Sequence, residues 1–591
     1  MLPRTYTPTL VALAWIGHAS CGGDPRAPSS RALTSPGGAI TYAADELRTG
    51  WYPDQPGLSP AVVAGPTFGR LFNTSLTLSP GAAVYAQPLV DGNTVFVATE
   101  TNDIYAIDGE TGVIGQARSV GAPWQASDIG CGDLTPSIGI TGTPVIDANT
   151  HTAYFFSKTY RTGQSGPSAA SAAVYAHAVD VRTLAERAGF PVEIQGTAGN
   201  DPSKTFSAFA QHQRPGLLLL NGVVYAGFGA HCDYESYVGW VVGVGTDGTL
   251  RTMFSTEVTP QGGRGAGIWQ SGGGLISDGA GRIMFMTGNG FSNTLADPVP
   301  GSTPPPTLDE SFVRLDVEGD GSLKAGDFFT PYNVRALDDA DQDFGAGAPV
   351  ALPSSPFGTP SHPDLAIGAG KQGVLYVLDR RSLGGFKQGP GGGDAVLSTV
   401  SLDGGLWSKP GVWPGDGGYV YVTPNGWGLA ALKAGVRGDG APTLTITGRS
   451  SDVMGYSTGA PIITSDGTQS GSAVVWVLYA TGGNGDGQLR AYDAVPDASG
   501  TLALRYEDAF GKQAKFSLPG VGAGRIYVAT ADGHVIGYGA PQTGAVQAPA
   551  TDFGGVAVNG TRDATVTLTA SRDVTVTSVA TSSPGFSVQG T

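Results

Sequence analysis

The sequence predicts an all-β fold, and three observations carry that reading. Glycine is abundant, 93 of 591 residues with 41 Pro, while only 14% of the chain is charged. Short runs rich in Val, Tyr and Thr end in Asp-Gly, Asn-Gly and Thr-Gly pairs, the chemistry of tight hairpins. Long stretches with the 3.6-residue apolar period of an amphipathic helix are nearly absent. A chain of this length would by default form several domains, but its uniform texture points to one large body built by repetition.

The clearest repeat is Tyr85–Gly112, YAQPLVDGNTVFVATETNDIYAIDGETG. It reads as a Pro-led strand, a turn, the alternating strand TVFVAT, a second turn and the strand IYAID, closed by a Gly turn. Related segments follow at 141–159, 217–232, 272–290, 348–379, 412–435, 460–493 and 518–539. One small sheet of this kind cannot bury both its faces, so neighbouring units must pack around a common axis. The expectation is a β-propeller over residues 46–545, with eight blades and seven as the alternative.

The two ends read differently. Residues 1–21 combine Arg4, an apolar run (Thr9–Ile16) too short to span a bilayer, and small residues before Cys21. The Ala-Ser-Cys ending resembles a bacterial lipoprotein processing site, although His18 stands where an aliphatic residue is usual; ordinary signal cleavage is the alternative. Both imply export, and the first implies a lipid anchor on Cys21 as the only membrane attachment. Residues 22–45, rich in Ser, Pro, Arg and Gly, read as a flexible linker. Residues 546–591 carry alternating Thr/Val strands and resemble the opening of an Ig-like domain of surface proteins. A full sandwich needs about seven strands and about 100 residues, so this is a partial β segment. The net charge of −16 repels a phosphate backbone and argues against a nucleic-acid partner.

The repeat units resemble those of pyrroloquinoline-quinone (PQQ) enzymes, whose pattern is VYVGTxDGxLYALDAxTG, across roughly residues 50–540. The segments GIWQSGGGLISDGAGRIMFMTGNG and DADQDFGAGAP resemble a branch of PQQ-repeat proteins of mostly unassigned function. In the catalytic members a Trp follows each terminal Gly turn; here Gln116 occupies that place in the first unit.

The resemblance to quinoprotein alcohol dehydrogenases implies a site. Asn289 in MTGNG matches a ligand of Ca²⁺, and Asp343 in DADQDFGAGAP matches the catalytic base, itself a ligand. Lys371 in KQGVLYVLDR matches the basic residue that contacts the quinone, and Trp269 the aromatic floor beneath it. An acidic ligand is expected in GAHCDYESYVGW, with Asp233 first and Glu235 next. Oxygen ligands suit a hard cation such as Ca²⁺. Against this, the enzymes' adjacent cysteine pair is reduced here to Cys131 followed by Gly132, and the chain has no CxxCH haem site. The Arg that follows that pair in the family has no counterpart in LTPSIGI.

Three further expectations complete the reading. DVEGDGSLKAGD fits the spacing of a calcium loop through Asp316, Glu318, Asp320 and Asp327, without the flanking helices of an EF-hand; a long solvated hairpin turn is the favoured reading and the calcium loop the alternative. The seven His are scattered and suggest no cluster, and no serine-hydrolase, zinc or P-loop motif occurs. Finally, Cys131 matches the first cysteine of the enzymes' pair, and the repeat puts Cys232 on a neighbouring blade. In an oxidising compartment a Cys131–Cys232 disulfide is expected, two unpaired thiols being the rival. The reading that follows is an exported envelope propeller. It serves as a binding or scaffold module for a protein, glycan or small molecule; the alternative is a PQQ- and Ca²⁺-dependent alcohol or sugar dehydrogenase.

Overall fold

The computed structural model describes residues 40–541, except 259–263, 280, 292–297 and 483–484, together with 546–547, 556, 560–565, 569–570 and 587. Within these residues the repeats form eight sheets of four or five strands. Blade 1 consists of Leu89–Asp91, Thr94–Ala98, Asp103–Asp108 and Ile114–Ser119, hydrogen-bonded in that order. Blade 2 runs from Val145–Asp147 to Val192–Glu193, and blade 3 from Leu218–Leu220 to Leu250–Ser255. Blade 4 opens on the bridge of Ile276 to Met284, in the place of a first strand, and continues from Arg282–Met286 to Leu323–Thr330; blade 5 runs from Val350–Leu352 to Ser398–Ser401. Blade 6 runs from Gly411–Trp413 to Pro442–Val453, and blade 7 from Ile462–Thr464 to Leu504–Lys512.

Blade 8 closes the ring. Its three inner strands, Gly520–Gly522, Arg525–Ala529 and His534–Gly539, come from the end of the repeat region. Its fourth, Gly69–Ser75, comes from the start, antiparallel to His534–Gly539 with Asn73 opposite Ile536. The expected eight blades are therefore present, and the closing strand lies before the first recognisable repeat.

Alternation along the strands decides which blade each side chain meets. In Thr94–Ala98, Val95 and Val97 pack with Tyr527 and Val535 of blade 8, whereas Phe96 and Ala98 pack with Phe155 and Val179 of blade 2. The same division repeats around the ring, and the buried side chains fall into eight clusters, one between each pair of neighbouring blades. Both faces of every blade are buried, which is why the strands read as near-continuous apolar runs. The glycine ending the first repeat, Gly112, has φ +75°, and a Cβ there would lie 2.5 Å from the Phe72 ring of the closing strand. Only glycine fits that turn.

The axis is filled by the chain itself. Residues 40–55 hydrogen-bond to the inner part of every blade. Ile40 O accepts from Ile146 N, Glu46 O from Ser277 N, Leu47 O from Ala351 N, Thr49 O from Val412 N and Gly50 O from Ile463 N, at 2.8–3.0 Å. Ala43 N donates to Gln87 Oε1 at 2.9 Å, and Gln55 Oε1 accepts from Gly524 N at 3.0 Å. Arg48, fully buried, donates to Leu217 O and Leu275 O, both at 2.8 Å, tying blades 3 and 4. The linker expected through residue 45 thus ends by residue 40, because Thr41, Tyr42 and Ala43 are buried. The expected signal segment 1–21 with Cys21 lies outside the described residues. So does most of the expected 546–591 segment, apart from a pairing of Val546–Gln547 with Thr569–Ala570.

Candidate functional site

Strands alternate in direction within a blade. The loops joining second to third strands therefore emerge on the same face as the loops that cross to the next blade. Asn289, Lys371 and Cys232 lie in loops of the first kind, and Cys131, Trp269 and Asp343 in loops of the second. Topology alone gathers them at one opening.

On the side of blades 4 and 5, Asn289, Asp343 and Lys371 do meet. The Asp343 carboxylate accepts from Asn289 N at 2.9 Å through Oδ1 and pairs with Lys371 Nζ at 2.5 Å through Oδ2. Lys371 Nζ also reaches Asp341 at 2.8 Å, and Lys371 N donates to Asp343 O at 3.0 Å. Against the loss of solvent, which lowers it, Asp343 and Asp341 hold the Lys371 ammonium above its ordinary value. Beneath them Glu310 is fully buried, and one carboxyl oxygen accepts from Phe344 N. Burial and then the Asp343 carboxylate push Glu310 well above the usual carboxylate range, which favours its neutral form. Asp338, which accepts from Gly290 N at 2.7 Å, is pushed up to about 7 by burial and by Asp309, although Arg335 bridges the two acids.

The oxygen cage expected for Ca²⁺ does not form from these residues. Both Asp343 oxygens are committed, one to an N–H and one to an ammonium, and Asn289 enters through its backbone nitrogen. Asp233 is exposed and accepts from Tyr237 Oη at 2.5 Å; it lies within electrostatic reach of Asp343 and Lys371 without sharing a partner with them. Glu235 is exposed on the same loop. Among the described residues no three His, Cys, Asp or Glu side chains converge as a cation would need. The Arg214 guanidinium lies over the half-buried Trp269 ring, 5.7 Å from its centroid, and His212 stands edge-on at 5.6 Å, so the expected aromatic floor already carries protein groups.

The segment with calcium-loop spacing lies in a hairpin turn, the reading the sequence favours. Residues 318–322 form the turn between the third and fourth strands of blade 4, on the face away from the opening. Asp316 and Asp327 turn to Arg314 at 3.2 and 3.4 Å, and Asp320 accepts from Ser322 N within the turn. Glu318 is exposed. The carboxylates serve a strand-borne arginine and a turn.

On the side of blades 2 and 3 the expected disulfide is present, Cys131 to Cys232 with 5.8 Å between Cα atoms. Beside it lies a group that the sequence reading missed. Lys158, 4% exposed, directs Nζ to Phe209 O and Gln211 O, each at 3.0 Å, and to His231 Nε2 at 2.6 Å. His231 Nδ1 meets His212 Nδ1 at 3.2 Å. The scattered histidines therefore include a buried pair. The signal was available in the strand register: Gln211–Gln213 pairs with the end of Val223–Ala230, His212 opposite Gly229, which brings a residue just past that strand beside His212.

The rim between these sides is aromatic and charged. Trp407 stands 5.1 Å from Tyr456, and Tyr456 5.3 Å from Phe516, each pair edge to face. Lys515 pairs with Asp133 next to the Cys131 loop.

No family model matches the chain, and no curated protein matches it. Solved structures do. The quinohemoprotein alcohol dehydrogenase from Comamonas testosteroni is similar at 16% identity and a TM-score of 0.58, over 86% of this chain and 82% of that one. The quinohemoprotein alcohol dehydrogenase ADHIIG from Pseudomonas putida HK5 is similar at 14% identity and a TM-score of 0.55, over 88% and 82%. At such identities the likeness establishes architecture and not activity. The chain is an eight-bladed β-propeller with the fold that quinohemoprotein alcohol dehydrogenases share.

Proposed function

We propose that the chain is an exported cell-envelope protein whose propeller is a binding or scaffold module, with the loop face as its binding surface. The observation that carries this reading is the closed state of Asp343. A base must have a free carboxylate oxygen within reach of its substrate, and here Lys371 and the Asn289 N–H hold both. The aromatic rim of Trp407 and Tyr456, backed by the buried Phe516 and flanked by Lys371, Lys515 and Asp133, supports a polar organic partner: an envelope protein, a glycan or a small molecule. The axial segment, bonded to all eight blades, supports a rigid platform. A lipid on Cys21 would hold that platform at a membrane, and Cys21→Ala should release it or block its processing.

The second reading, a PQQ- and Ca²⁺-dependent dehydrogenase, is favoured by one fact: Asn289, Asp343 and Lys371 are neighbours, as the resemblance requires. Equilibrium dialysis of the protein against PQQ with millimolar Ca²⁺ separates the two. The binding reading expects no retained quinone absorbance and no dye reduction with alcohols or sugars. Stoichiometric quinone binding, with dye reduction that Asp343→Asn abolishes, would overturn it.

A further inference from the structure

Three successive loops of the loop face carry aromatic rings to the surface of blades 5 to 7. Trp407 lies in the crossing from blade 5 to blade 6, Trp427 in the turn between the second and third strands of blade 6, and Tyr456 in the crossing from blade 6 to blade 7. Trp427 is the one exposed tryptophan among the described residues, at 45%, and Tyr456 is exposed beside the half-buried Trp407. Tryptophans that serve packing behave otherwise: Trp413 and Trp476 are fully buried and donate their indole N–H to Gly467 O and Thr464 Oγ1. Among the described residues no acceptor meets the indole N–H of Trp407 or Trp427, and no group hydrogen-bonds Tyr456 Oη.

The rings are held against backbone. A Cβ on Gly404 would lie 2.8 Å from Trp427 Cδ1, and one on Gly405 would lie 2.9 Å from Trp407 Cζ3. Only a ridge without side chains lets both indoles lie this close. Consecutive Cα atoms are about 3.8 Å apart, so the two rings flank one short stretch of chain and a single extended ligand can meet both. Asn425 N donates to Gly405 O at 2.9 Å and Met454 N to Trp427 O at 2.8 Å, which ties the ridge and the turn to their neighbours. A platform formed in advance loses little ordering entropy on binding. Polar groups stand beside the rings in balanced form. Arg449 lies over Trp427, 5.7 Å from its centroid, and donates to Asp403 Oδ2 at 2.7 Å. Asp403 has φ +68°, which aspartate tolerates, and its Oδ1 meets no donor among the described residues. Asp452, farther along the strand of Arg449, is taken by Arg490 at 3.0 Å and by Tyr492 Oη at 2.8 Å. The half-buried Asn425 spends no side-chain hydrogen bond among the described residues.

We infer that this platform binds a neutral glycan, its pyranose rings against Trp427 and Trp407 and its hydroxyls on Asp403 Oδ1, Asn425, Tyr456 Oη and the indole N–H groups. A sugar ring is apolar on its C–H faces and polar around its edge, so it needs exposed aromatic rings with unspent donors and acceptors beside them. A protein partner asks for an apolar core cleared of charge, whereas the Arg449–Asp403 pair stands beside the most exposed ring. A charged partner needs one sign in excess, and the charges beside Trp427 are paired with their opposites. The assignment rests on the reading of the loop face as a binding surface and narrows it to one partner class. Failure to bind sugar would strike the narrowing alone, while quinone retained in the dialysis experiment would strike the wider reading.

Calorimetry of the intact protein with cellohexaose, chitohexaose and maltohexaose tests it. The expected result is saturable binding of at least one hexaose, tighter than that of its disaccharide and unchanged between about 0.05 and 0.5 M NaCl. Trp427→Ala should weaken it about tenfold or more, with an unshifted urea midpoint, while Trp427→Tyr stays within about threefold of wild type. Asn425→Ala reads the polar half independently and should cost about fivefold. No binding of any of the three hexaoses overturns the proposal, as does binding that Trp427→Ala leaves unchanged. Preferential binding of hexagalacturonate, lost at high salt, overturns the neutral class. Self-association in sedimentation velocity that Trp427→Ala abolishes, with no sugar bound, would assign the patch to a protein surface instead.

Discussion

The two sides of one opening are built on opposite principles. Between blades 4 and 5 the residues expected from the dehydrogenase resemblance are in place, yet Lys371 neutralises Asp343, with Asp341 as a further partner of the ammonium, and the group is partly open to solvent. Between blades 2 and 3 the expected cysteine pair and arginine are missing. A disulfide joins two blades there, and a buried lysine without a carboxylate partner leans on two histidines. Matching residue types thus accompany a spent site, and the departures from the pattern accompany the unspent chemistry. A motif reports which groups come together; whether their lone pairs and protons remain free depends on everything else that reaches them.

The contrast can be broken by measurement. The largest effect is expected from Cys131→Ser, which opens a loop of 101 residues and should cost about 4.7 kcal/mol in the chain-entropy account. A drop in urea midpoint no larger than that of a surface substitution would deny the bridge its structural role.

A smaller effect, with a definite sign in pH, belongs to the buried Glu100, whose Oε2 accepts from Gly139 N and Thr141 Oγ1. Its folded value of about 7 lies above the unfolded carboxyl value, so the native state binds the proton more tightly. The stability it contributes is present below the unfolded value, near pH 4.5, and is lost as pH rises to about 7. Glu100→Gln keeps acceptors for Gly139 N–H and Thr141 and should be more stable than wild type at pH 8 by about 2 kcal/mol, with little difference at pH 4.5. Parallel urea curves at the two pH values check this; an equal gain at both would remove the titration from the account.

Asp343→Asn should cost less, about 1–2 kcal/mol, because Lys371 keeps Asp341 as a partner and Asn can still accept from Asn289 N–H. A loss comparable to that of Cys131→Ser would overturn the view that this side is structurally dispensable. The smallest effect is expected for Ca²⁺. Millimolar Ca²⁺ should leave the urea midpoint of wild type and of Asp327→Asn unchanged, since Arg314 already occupies Asp316 and Asp327. A midpoint that climbs with Ca²⁺ concentration in wild type alone would restore the calcium loop.

Much of the fold was legible because it is local and repeated. Strand alternation, paired turn residues and the Gly112 turn are each set within about ten residues, and eight recognisable copies leave little choice of architecture. The candidate positions Asn289, Asp343 and Lys371 were legible for a related reason: they sit at fixed places relative to strands, and the topology sends those loops to one face. The linker boundary is not visible in the sequence because residues 40–45, Ile-Thr-Tyr-Ala-Ala-Asp, follow a Ser-, Pro- and Gly-containing stretch and carry no strand or turn pattern of their own. Their order comes from partners distant in sequence, such as Gln87 and Ile146.

By itself the sequence determined the strands, the propeller architecture and the face on which the loops gather, since alternation and turn chemistry act between near neighbours; the eighth blade's closing strand came from the structure. The tertiary structure alone decided the fate of the charges. That Lys371 neutralises Asp343, that Arg314 takes Asp316 and Asp327, and that Lys158 meets His231 and His212 all depend on distances of a few ångströms between residues 2 to 73 positions apart. Electrostatic and hydrogen-bonding free energies change steeply over such distances and with burial, and neither quantity is written in the order of the residues.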